Sequence, residues 1–230
     1  MIFTHIIKQT FDLIMAEYNQ DKQLEIFTPK KRILQSAVYL FAKQGFDGTG
    51  LRELATRAEV NLAMINYFFG SKKGLLKEIL DNFFEGYLAI ARKELVGTET
   101  LHIKLRRFIN SSVRYFDSGQ DALLVTITEL SHDDPDIIEH KATWARQMAE
   151  VLEREVCQPL KEETGKSIPA TCIGPMLTSL MASRFLFAPV LTRVRRESGN
   201  PVDIHAYTEM ITSLFLQGIA TENTTPKQET

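Results

Sequence analysis

The chain has 230 residues, of which 44% are hydrophobic and 24% charged, and its formal net charge is −2. This composition is typical of a globular protein with a buried core and excludes a disordered or fibrous chain. The two cysteines, Cys157 and Cys172, belong to no CxxC or Cys/His cluster. That pattern favours a reduced, cytoplasmic protein, with a redox-switch disulfide as the minor alternative.

Residues 1–27 are predicted to be an N-terminal extension ahead of the first clear helix signal. The start of this segment is apolar at helical spacing, but Lys8 and Asp12 interrupt it and no basic residue precedes it. These features do not fit a signal peptide. The segment is either an additional amphipathic helix or lies upstream of the true start, for which Met15 is a candidate.

Three short helical patterns follow between residues 28 and 75, which we predict to be a separate domain. The first begins at Thr28-Pro29, where threonine suits the N-cap and proline the first turn, and it ends at Gly45. Two more helices begin at Gly50 and Asn61. This spacing is typical of a helix-turn-helix, whose second helix enters the DNA major groove.

Charge is unevenly distributed along the chain. Residues 28–76 contain eight Lys or Arg and three Asp or Glu, a net charge of +5, so the other residues together carry −7. A basic module attached to an acidic body indicates that one end binds a polyanion such as DNA.

The segment from Lys31 to about Leu80 resembles the TetR family of transcriptional regulators. The resemblance is carried by Leu40-Phe41, Gly45-Phe46, Leu54-Ala55-x-x-Ala58, Val60-Asn61 and Tyr67-Phe68-Phe69-Gly70-Ser71-Lys72. Three positions depart from the family pattern. Gly50 stands where Ser or Thr is common, Glu59 where Gly is common, and Asn66 where Tyr is common. A positive φ at Glu59 is expected to cost about 1 kcal/mol.

The resemblance implies DNA contacts on and around the helix that Asn61 opens. The predicted set is Thr49, Gly50, Arg52, Asn61, Leu62, Ala63, Met64, Asn66, Tyr67 and Lys72. Thr49, Tyr67 and Lys72 are expected to hold phosphates, as are the amides at the start of the next helix. The recognition helix contains no Arg or Lys. We therefore expect a palindromic site that favours A·T pairs, with Arg52 as the route to guanine.

The region from residue 76 to 221 is predicted to be a larger all-α domain for ligand sensing and dimerisation. Helices are expected at about residues 72–96, 100–116, 121–131, 134–163, 170–196 and 203–221. The helix at 134–163 begins at Asp134-Pro135 and is expected to bend near Pro159. The polar segment 222–230 is expected to be a disordered tail.

The last two helices are the candidate homodimer interface, because one short recognition helix reads too few base pairs for genomic specificity. Residues 171–192 contain a single charge, Arg184. Such a face suits a four-helix interface between two copies, and the alternative is an internal core. Arg184, Gly174, Pro175 and Pro189 interrupt the segment, so we expect no membrane span.

Aromatic and apolar residues between the recognition and interface helices are candidates to line a pocket for an inducer, although most are expected to be core. They are Phe83, Phe84, Tyr87, Phe108, Tyr115, Phe116, Trp144 and Met148. Arg184 and Arg114 are candidates to bind an acidic ligand, and the alternative is that they pair with carboxylates of the body.

Acidic and histidine side chains crowd between residues 132 and 140, namely His132, Asp133, Asp134, Asp136 and His140. We interpret Asp134-Pro135 as a helix start and His140 as a surface residue, and we expect no metal and no cofactor. The chain has no glycine-rich phosphate loop, nucleophile elbow or HExxH motif, which argues against an enzyme.

Together these features predict a cytoplasmic, homodimeric, DNA-binding transcriptional regulator with an all-α fold. We expect a repressor that an unknown small-molecule inducer releases from double-stranded DNA. The alternatives are a regulator controlled by a protein partner, and a helical enzyme or carrier whose basic end is incidental.

Overall fold

The computed structural model describes residues 28–128, 134–198 and 203–220, and every regular element in those ranges is helical. The predicted N-terminal extension and the predicted tail lie outside the described residues. The helices are α1 Pro29–Gly48, α2 Leu51–Arg57, α3 Leu62–Phe69, α4 Lys72–Glu94, α5 Leu101–Ser118, α6 Gln120–Thr128, α7 Pro135–Leu152, α8 Gln158–Thr164, α9 Ala170–Leu186, α10 Ala188–Ser198 and α11 Ile204–Ala220.

The described residues form two compact units, and the division falls inside α4, between Ile79 and Leu80. In the first unit, α1, α2 and α3 pack against one another around a small core. Its fully or nearly fully buried side chains are Ile33, Ala37, Leu40, Phe41, Leu54, Ala55, Ala58, Ile65, Leu75, Leu76 and Ile79. The apolar positions that predicted the helix-turn-helix are therefore the ones that hold it together.

The first helix shows how one glycine shapes the unit. Gly45 has φ 78° and ψ 165°, which breaks the regular helix three residues before α1 ends. A side chain at such a positive φ would be strained, whereas glycine adopts it freely. The predicted break at Gly45 is thus confirmed, and so is the start at Pro29, although the Thr28 side chain makes no capping hydrogen bond.

The second unit is a helical bundle in which α5 and α9 are central. Helix α5 packs against α6, α9 and α11, while α9 also contacts α7. The deepest side chains of α5 are Leu105, Ile109, Val113 and Phe116, each with zero exposure. They recur at i, i+4, i+8 and i+11, which is the spacing that buries one face of a helix.

Two predicted helices are interrupted. The helix expected over 134–163 contains a π-helical segment at Glu153–Cys157, in which the Gln158 amide donates to the Glu153 carbonyl, five residues earlier. Pro159, the second residue of α8, has no amide to donate, so the normal hydrogen-bond ladder could not continue through it. The interruption predicted near Pro159 thus takes the form of a π-helical segment just before it.

The single helix expected over 170–196 is wrong, because the chain breaks at Phe187 into α9 and α10, which are bent by 52°. Pro189 stands at the second position of α10, where a proline needs no hydrogen-bond partner for its nitrogen. Among the described residues no single helix has the length and hydropathy to cross a membrane. Only the bent pair Ala170–Leu186 and Ala188–Val194 passes that test, on length and composition alone.

Candidate nucleic-acid interface and ligand pocket

Helix α3, the candidate recognition helix, begins at a capped end. The Asn61 side-chain oxygen accepts a hydrogen bond of 2.9 Å from the Met64 amide. Asparagine at this position satisfies one of the amides that a helix start leaves without a partner. The predicted N-cap is confirmed, and it fixes where the groove-facing surface begins.

The turn before α3 has the backbone conformation predicted from the sequence, namely a positive φ at Glu59. Glu59 has φ 53°, the positive value that usually requires glycine. Its carbonyl accepts a hydrogen bond of 3.2 Å from Arg32, and the Val60 amide donates to the Ala55 carbonyl at 3.0 Å. These contacts hold a strained residue in place, so the turn keeps its shape without glycine.

Helix α3 buries one side and exposes the other. Ile65 is completely buried, whereas Tyr67 is 83% exposed and Leu62 is 38% exposed. Ala63 and Asn66 are also exposed, and Met64 is half-buried. The exposed residues lie together on one face, because positions i, i+1, i+4 and i+5 are neighbours on a helix. This face carries an amide, a phenol and apolar groups, but no charge.

The predicted contacts flanking α3 have different surroundings. Arg52 is exposed on α2, and Gly50 is the exposed N-cap position of that helix. Thr49, in contrast, is 2% exposed, and its hydroxyl donates to the Gly45 carbonyl at 2.8 Å. The predicted phosphate contact of Thr49 is therefore wrong: burial and this hydrogen bond make it a structural residue at the helix break.

Lys72 opens α4, and its ammonium lies 4.4 Å from the centre of the Phe46 ring. The preceding residue, Ser71, caps the helix, because its hydroxyl oxygen accepts a hydrogen bond of 3.0 Å from the Gly74 amide. A Cβ at Gly74 would collide with the Phe69 carbonyl. Glycine thus allows α4 to begin immediately beside the end of the recognition helix.

The second unit contains a pocket with a volume of about 480 Å³ between α4, α6, α7 and α9. Its wall consists mainly of aromatic and aliphatic side chains. The lining residues are Phe83, Phe84, Tyr87, Leu88, Leu123, Thr126, Ile127, Ile138, Lys141, Ala142, Trp144, Ala145, Met148, Ala149, Leu152, Ala170, Thr171, Gly174, Pro175, Thr178 and Ser179. Both the volume and the apolar lining are typical of small-molecule sites.

Polar groups in the pocket wall are few. The Tyr87 hydroxyl lies 3.0 Å from the Thr178 hydroxyl, and burial raises the pKa of the Tyr87 phenol, an effect that this hydrogen bond partly offsets. The Thr126 hydroxyl donates to the Ala122 carbonyl at 2.8 Å. Lys141 is 8% exposed and brings an ammonium group into the lining.

Trp144 connects the pocket wall to α4. Its ring stacks on Phe84 with 6.3 Å between centroids, and its indole nitrogen donates to Asp81 at 2.7 Å. The imidazole of His140 lies 2.7 Å from the same carboxylate oxygen. Asp81 on α4 therefore contacts two residues of α7, one of which lines the pocket. His140, expected on the surface, is half-buried in this pair.

The predicted pocket residues divide into two groups. Phe84, Tyr87, Trp144 and Met148 line the pocket, together with Phe83. Phe108, Tyr115 and Arg184 do not line the pocket, so the prediction that they do is wrong. Each of these side chains is held elsewhere, by burial or by a local partner.

Phe108 is 1% exposed and stacks behind Tyr87, with 5.8 Å between ring centroids. The Tyr115 hydroxyl donates to the Phe83 carbonyl at 3.0 Å, and its ring occupies the space that a Cβ at Gly86 would need. Arg184 lies over the Tyr207 ring, 5.6 Å from its centre. Each of these side chains supports the bundle instead of the pocket surface.

Lys141 is the pocket residue that sequence reasoning missed. It precedes Trp144 by three residues and Met148 by seven. That spacing places all three on one face of a helix. The signal was therefore present, but a lysine on an amphipathic helix is ordinarily solvated, and the sequence alone gave no reason to bury it.

The described residues contain no group of His, Cys, Asp and Glu that could hold a metal ion. His132 and Asp133 of the crowded acidic segment lie outside the described residues. Asp134 caps α7, since its carboxylate accepts from the amides of Asp136 and Ile137. Cys157 is buried, which raises the pKa of its thiol to about 11 and keeps it protonated at neutral pH.

The C-terminal helices expose several large apolar side chains. Those at least 36% exposed are Met176 and Leu186 on α9, Phe187 at the break, Val190 and Val194 on α10, and Met210 and Leu214 on α11. Large exposed apolar patches mark interaction sites in soluble proteins. We call these seven residues the apolar C-terminal face.

A capped, exposed recognition helix on a three-helix core, followed by a helical body, defines a DNA-binding transcriptional regulator of the helix-turn-helix class. Residues 33–79 match the family described as "Bacterial regulatory proteins, tetR family". The chain is 27% identical over 168 residues to the probable HTH-type transcriptional regulator YttP of Bacillus subtilis, covering 72% of this chain and 81% of that protein.

Two further comparisons also match regulatory proteins. The HTH-type transcriptional repressor NicS of Pseudomonas putida is 27% identical over 103 residues, which cover 45% of this chain and 49% of NicS. A crystal structure of a tetR-family regulatory protein from Rhodococcus shares the fold, with a TM-score of 0.71 and 17% identity over 85% of this chain and 99% of that one. Residues 33–79 thus match the TetR-family DNA-binding region, and the curated relatives are transcriptional regulators and not enzymes.

Proposed function

We propose that this regulator is a homodimeric repressor, acting in the cytoplasm, which leaves a palindromic operator when a small molecule fills the pocket of the second unit. One observation carries the proposal: only two residues separate the recognition helix from α4, and α4 also supplies Phe83, Phe84 and Tyr87 to the pocket. A single helix thus links, along the chain, the surface that would read DNA and the surface that would bind an inducer.

The DNA side of the proposal depends on the uncharged face of α3. Asn66 has the donor and acceptor needed to pair with adenine, and Ala63 and Leu62 are apolar and able to contact a thymine methyl. Arg52, exposed on α2, is the candidate for guanine. Tyr67 and Lys72 are the proposed phosphate contacts, with Gly50, Asn61 and Met64 at the edges of the surface.

Random-site selection with the full chain tests this reading. We expect inverted half-sites with A·T pairs at the positions that α3 reads. Any guanine in the half-site should lose its preference in Arg52→Ala. A selected guanine core that persists in Arg52→Ala would contradict the assignment.

The homodimer is proposed from the apolar C-terminal face. Phe187, Val190 and Leu214 are 58%, 62% and 58% exposed in the single chain. Covering such side chains by a second copy would remove apolar surface from water, at a gain of about 25 cal/mol per Å². A symmetric pair of copies would also present two recognition helices to the two halves of a palindrome.

Release is proposed to be a shift between two populations of the protein. A ligand that binds only one conformer of the pocket displaces the equilibrium towards that conformer. Because three pocket residues lie on α4, the conformers are expected to differ in the position of this helix. The repressor role is supported by the name of one relative, the transcriptional repressor NicS.

The decisive experiment is the capture of genomic fragments by the purified protein, followed by a ligand screen. Genes beside the captured fragments suggest candidate inducers, and each is tested for a rise in melting temperature and for loss of the protein–DNA complex. We expect one compound class to do both. If a ligand raises the melting temperature without releasing DNA, the release mechanism fails. If only a protein partner releases DNA, control by that partner replaces it.

A further inference from the structure

We propose that the pocket of the second unit accepts a neutral ligand whose buried part is apolar and carries no hydrogen-bonding group. The regulatory meaning of such a ligand rests on the proposed function. Its binding preference does not, because all the lining residues belong to the second unit and binding is measurable without DNA.

The apolar character of the ligand is indicated by the wall of the pocket. Aromatic rings of α4 and α7 form part of it, where Phe84 and Trp144 stack with an angle of 23° between their planes. Phe83, Leu123 and Leu152 also line it and are at most 5% exposed. A ligand that fills this space therefore meets mainly carbon atoms, and it is stabilised by the removal of apolar surface from water.

The hydroxyl groups of the buried wall already have partners. Tyr87 on α4 and Thr178 on α9 are hydrogen-bonded to each other at 3.0 Å, and the Thr126 hydroxyl donates to the Ala122 carbonyl at 2.8 Å. Burial raises the pKa of the Tyr87 phenol, so this group stays protonated and offers no negative charge. A carbonyl or hydroxyl group of the ligand would have to break one of these hydrogen bonds or lose its hydration without replacement.

A charged ligand is disfavoured because the described lining offers it no available counter-charge. None of the described lining residues is Asp or Glu, so a cation has no carboxylate to approach. Lys141, the one basic residue among the described lining residues, is 8% exposed and already has an interaction partner within the protein. An anion would have to compete with that partner and also give up its own hydration in an apolar site, which is costly.

Polar lining residues at the surface do not alter this preference. Thr171 and Ser179 are exposed, so a polar group of the ligand that lies beside them can remain hydrated. The restriction therefore concerns the part of the ligand that lies between the buried side chains. A probe for this restriction must carry its polar group at its centre and apolar rings on both sides.

Four probes meet this requirement, since each has two phenyl rings on one central carbon. Diphenylmethane carries no polar group there, benzophenone a carbonyl, diphenylacetate a carboxylate and diphenylmethylammonium a cation. Isothermal titration calorimetry with the full-length protein gives affinity and stoichiometry. The emission of Trp144, the only tryptophan of the chain and a lining residue, reports whether binding occurs in the pocket. We expect one diphenylmethane per chain, benzophenone about tenfold weaker, and both ions at least about 100-fold weaker.

Thr178→Val tests the reason for the preference, because it keeps the shape of the side chain and removes the partner of the Tyr87 hydroxyl. This hydroxyl can then donate to the benzophenone carbonyl, so the affinity for benzophenone relative to diphenylmethane should rise about tenfold. Thr143→Val is the matched control, since it removes a hydroxyl from an exposed residue of α7 outside the lining. It should leave the ratio of the two affinities within about twofold.

Circular dichroism and melting curves establish that the variants are folded. If Thr178→Val does not fold, the four probes decide on the unmodified protein. The proposal is overturned if benzophenone or either ion binds as tightly as diphenylmethane, or if diphenylmethane does not bind with a change in Trp144 emission. An unchanged ratio in folded Thr178→Val overturns it as well.

DNA retention is measured on the same preparations without probe. A protein that binds diphenylmethane as expected but does not retain DNA would refute the regulator and leave the pocket assignment standing. A protein that retains DNA but binds none of the probes would overturn the pocket assignment alone.

Discussion

Replacing Tyr67 by phenylalanine removes one oxygen from the most exposed large apolar side chain of the described structure. The ring is 83% exposed and contacts Phe68 edge-on, with 5.1 Å between centroids. Among the described residues the hydroxyl has no hydrogen-bond partner. We therefore expect Tyr67→Phe to change the free energy of unfolding by less than about 0.5 kcal/mol. Any loss of DNA binding would then report the hydroxyl itself.

The expected loss follows from a hydrogen bond between this hydroxyl and a phosphate. A bond with one charged partner contributes about 1.5 kcal/mol, which is a factor of about ten in affinity for each protomer. A dimer on a palindrome makes the contact twice, so the loss should approach about 100-fold. Because the tyrosine is neutral, the dependence of affinity on salt concentration should not change.

Lys72→Met provides the contrast, since removing a cation that neutralises a phosphate lowers the salt slope by about one for each protomer. Fluorescence anisotropy on a selected operator at several salt concentrations measures both quantities. Tyr39→Phe is the matched control, an exposed tyrosine of α1 with no proposed DNA contact. If Tyr67→Phe binds the operator within about twofold of the unmodified protein, Tyr67 does not hold a phosphate through its hydroxyl.

Three further outcomes are expected. Glu59→Gly should stabilise the protein by about 0.5 to 1 kcal/mol in urea unfolding, since it relieves the positive φ; Glu59→Ala keeps the strain and should not. Asn61→Ala should cost about 1 kcal/mol and speed hydrogen exchange at the start of α3, because it removes the cap. Leu214→Lys should give monomers in sedimentation equilibrium, while His205→Lys, exposed on the opposite side of α11, should leave the oligomeric state unchanged. Dimers with Leu214→Lys would place the interface elsewhere.

The helix-turn-helix was predictable because its residues act locally. Asn61 as a cap, Gly45 as a break and Ala55 as a small buried residue of the motif each specify structure within a few positions of themselves. Glu59 was recognisable for the same reason: a turn of fixed length needs a positive φ at that position whatever residue occupies it. Where the structural role of a residue depends only on its neighbours in the sequence, the sequence is sufficient to identify that residue.

The pocket was only partly predictable because its wall depends on packing between distant helices. Phe84 and Phe108 are both aromatic residues on amphipathic helices, yet one lines the pocket and the other lies behind Tyr87 in the core. Thr49 was expected to contact phosphate because of its position in the motif, but it is buried and its hydroxyl donates to the Gly45 carbonyl. Side-chain composition predicts that a core exists, but not which core residues line a pocket.

Within the second unit, Asp81 provides a specific side-chain link between the pocket wall and α4. Its carboxylate receives the Trp144 indole and lies at ion-pair distance from His140, so the pocket wall on α7 is fastened to α4 one turn before Phe84. A ligand that displaces Trp144 from its stack with Phe84 must also disturb this carboxylate. The free energy available for shifting α4 is then the binding free energy of the ligand less the free energy of the contacts that it disrupts. This limit applies to any ligand that shifts a conformational equilibrium.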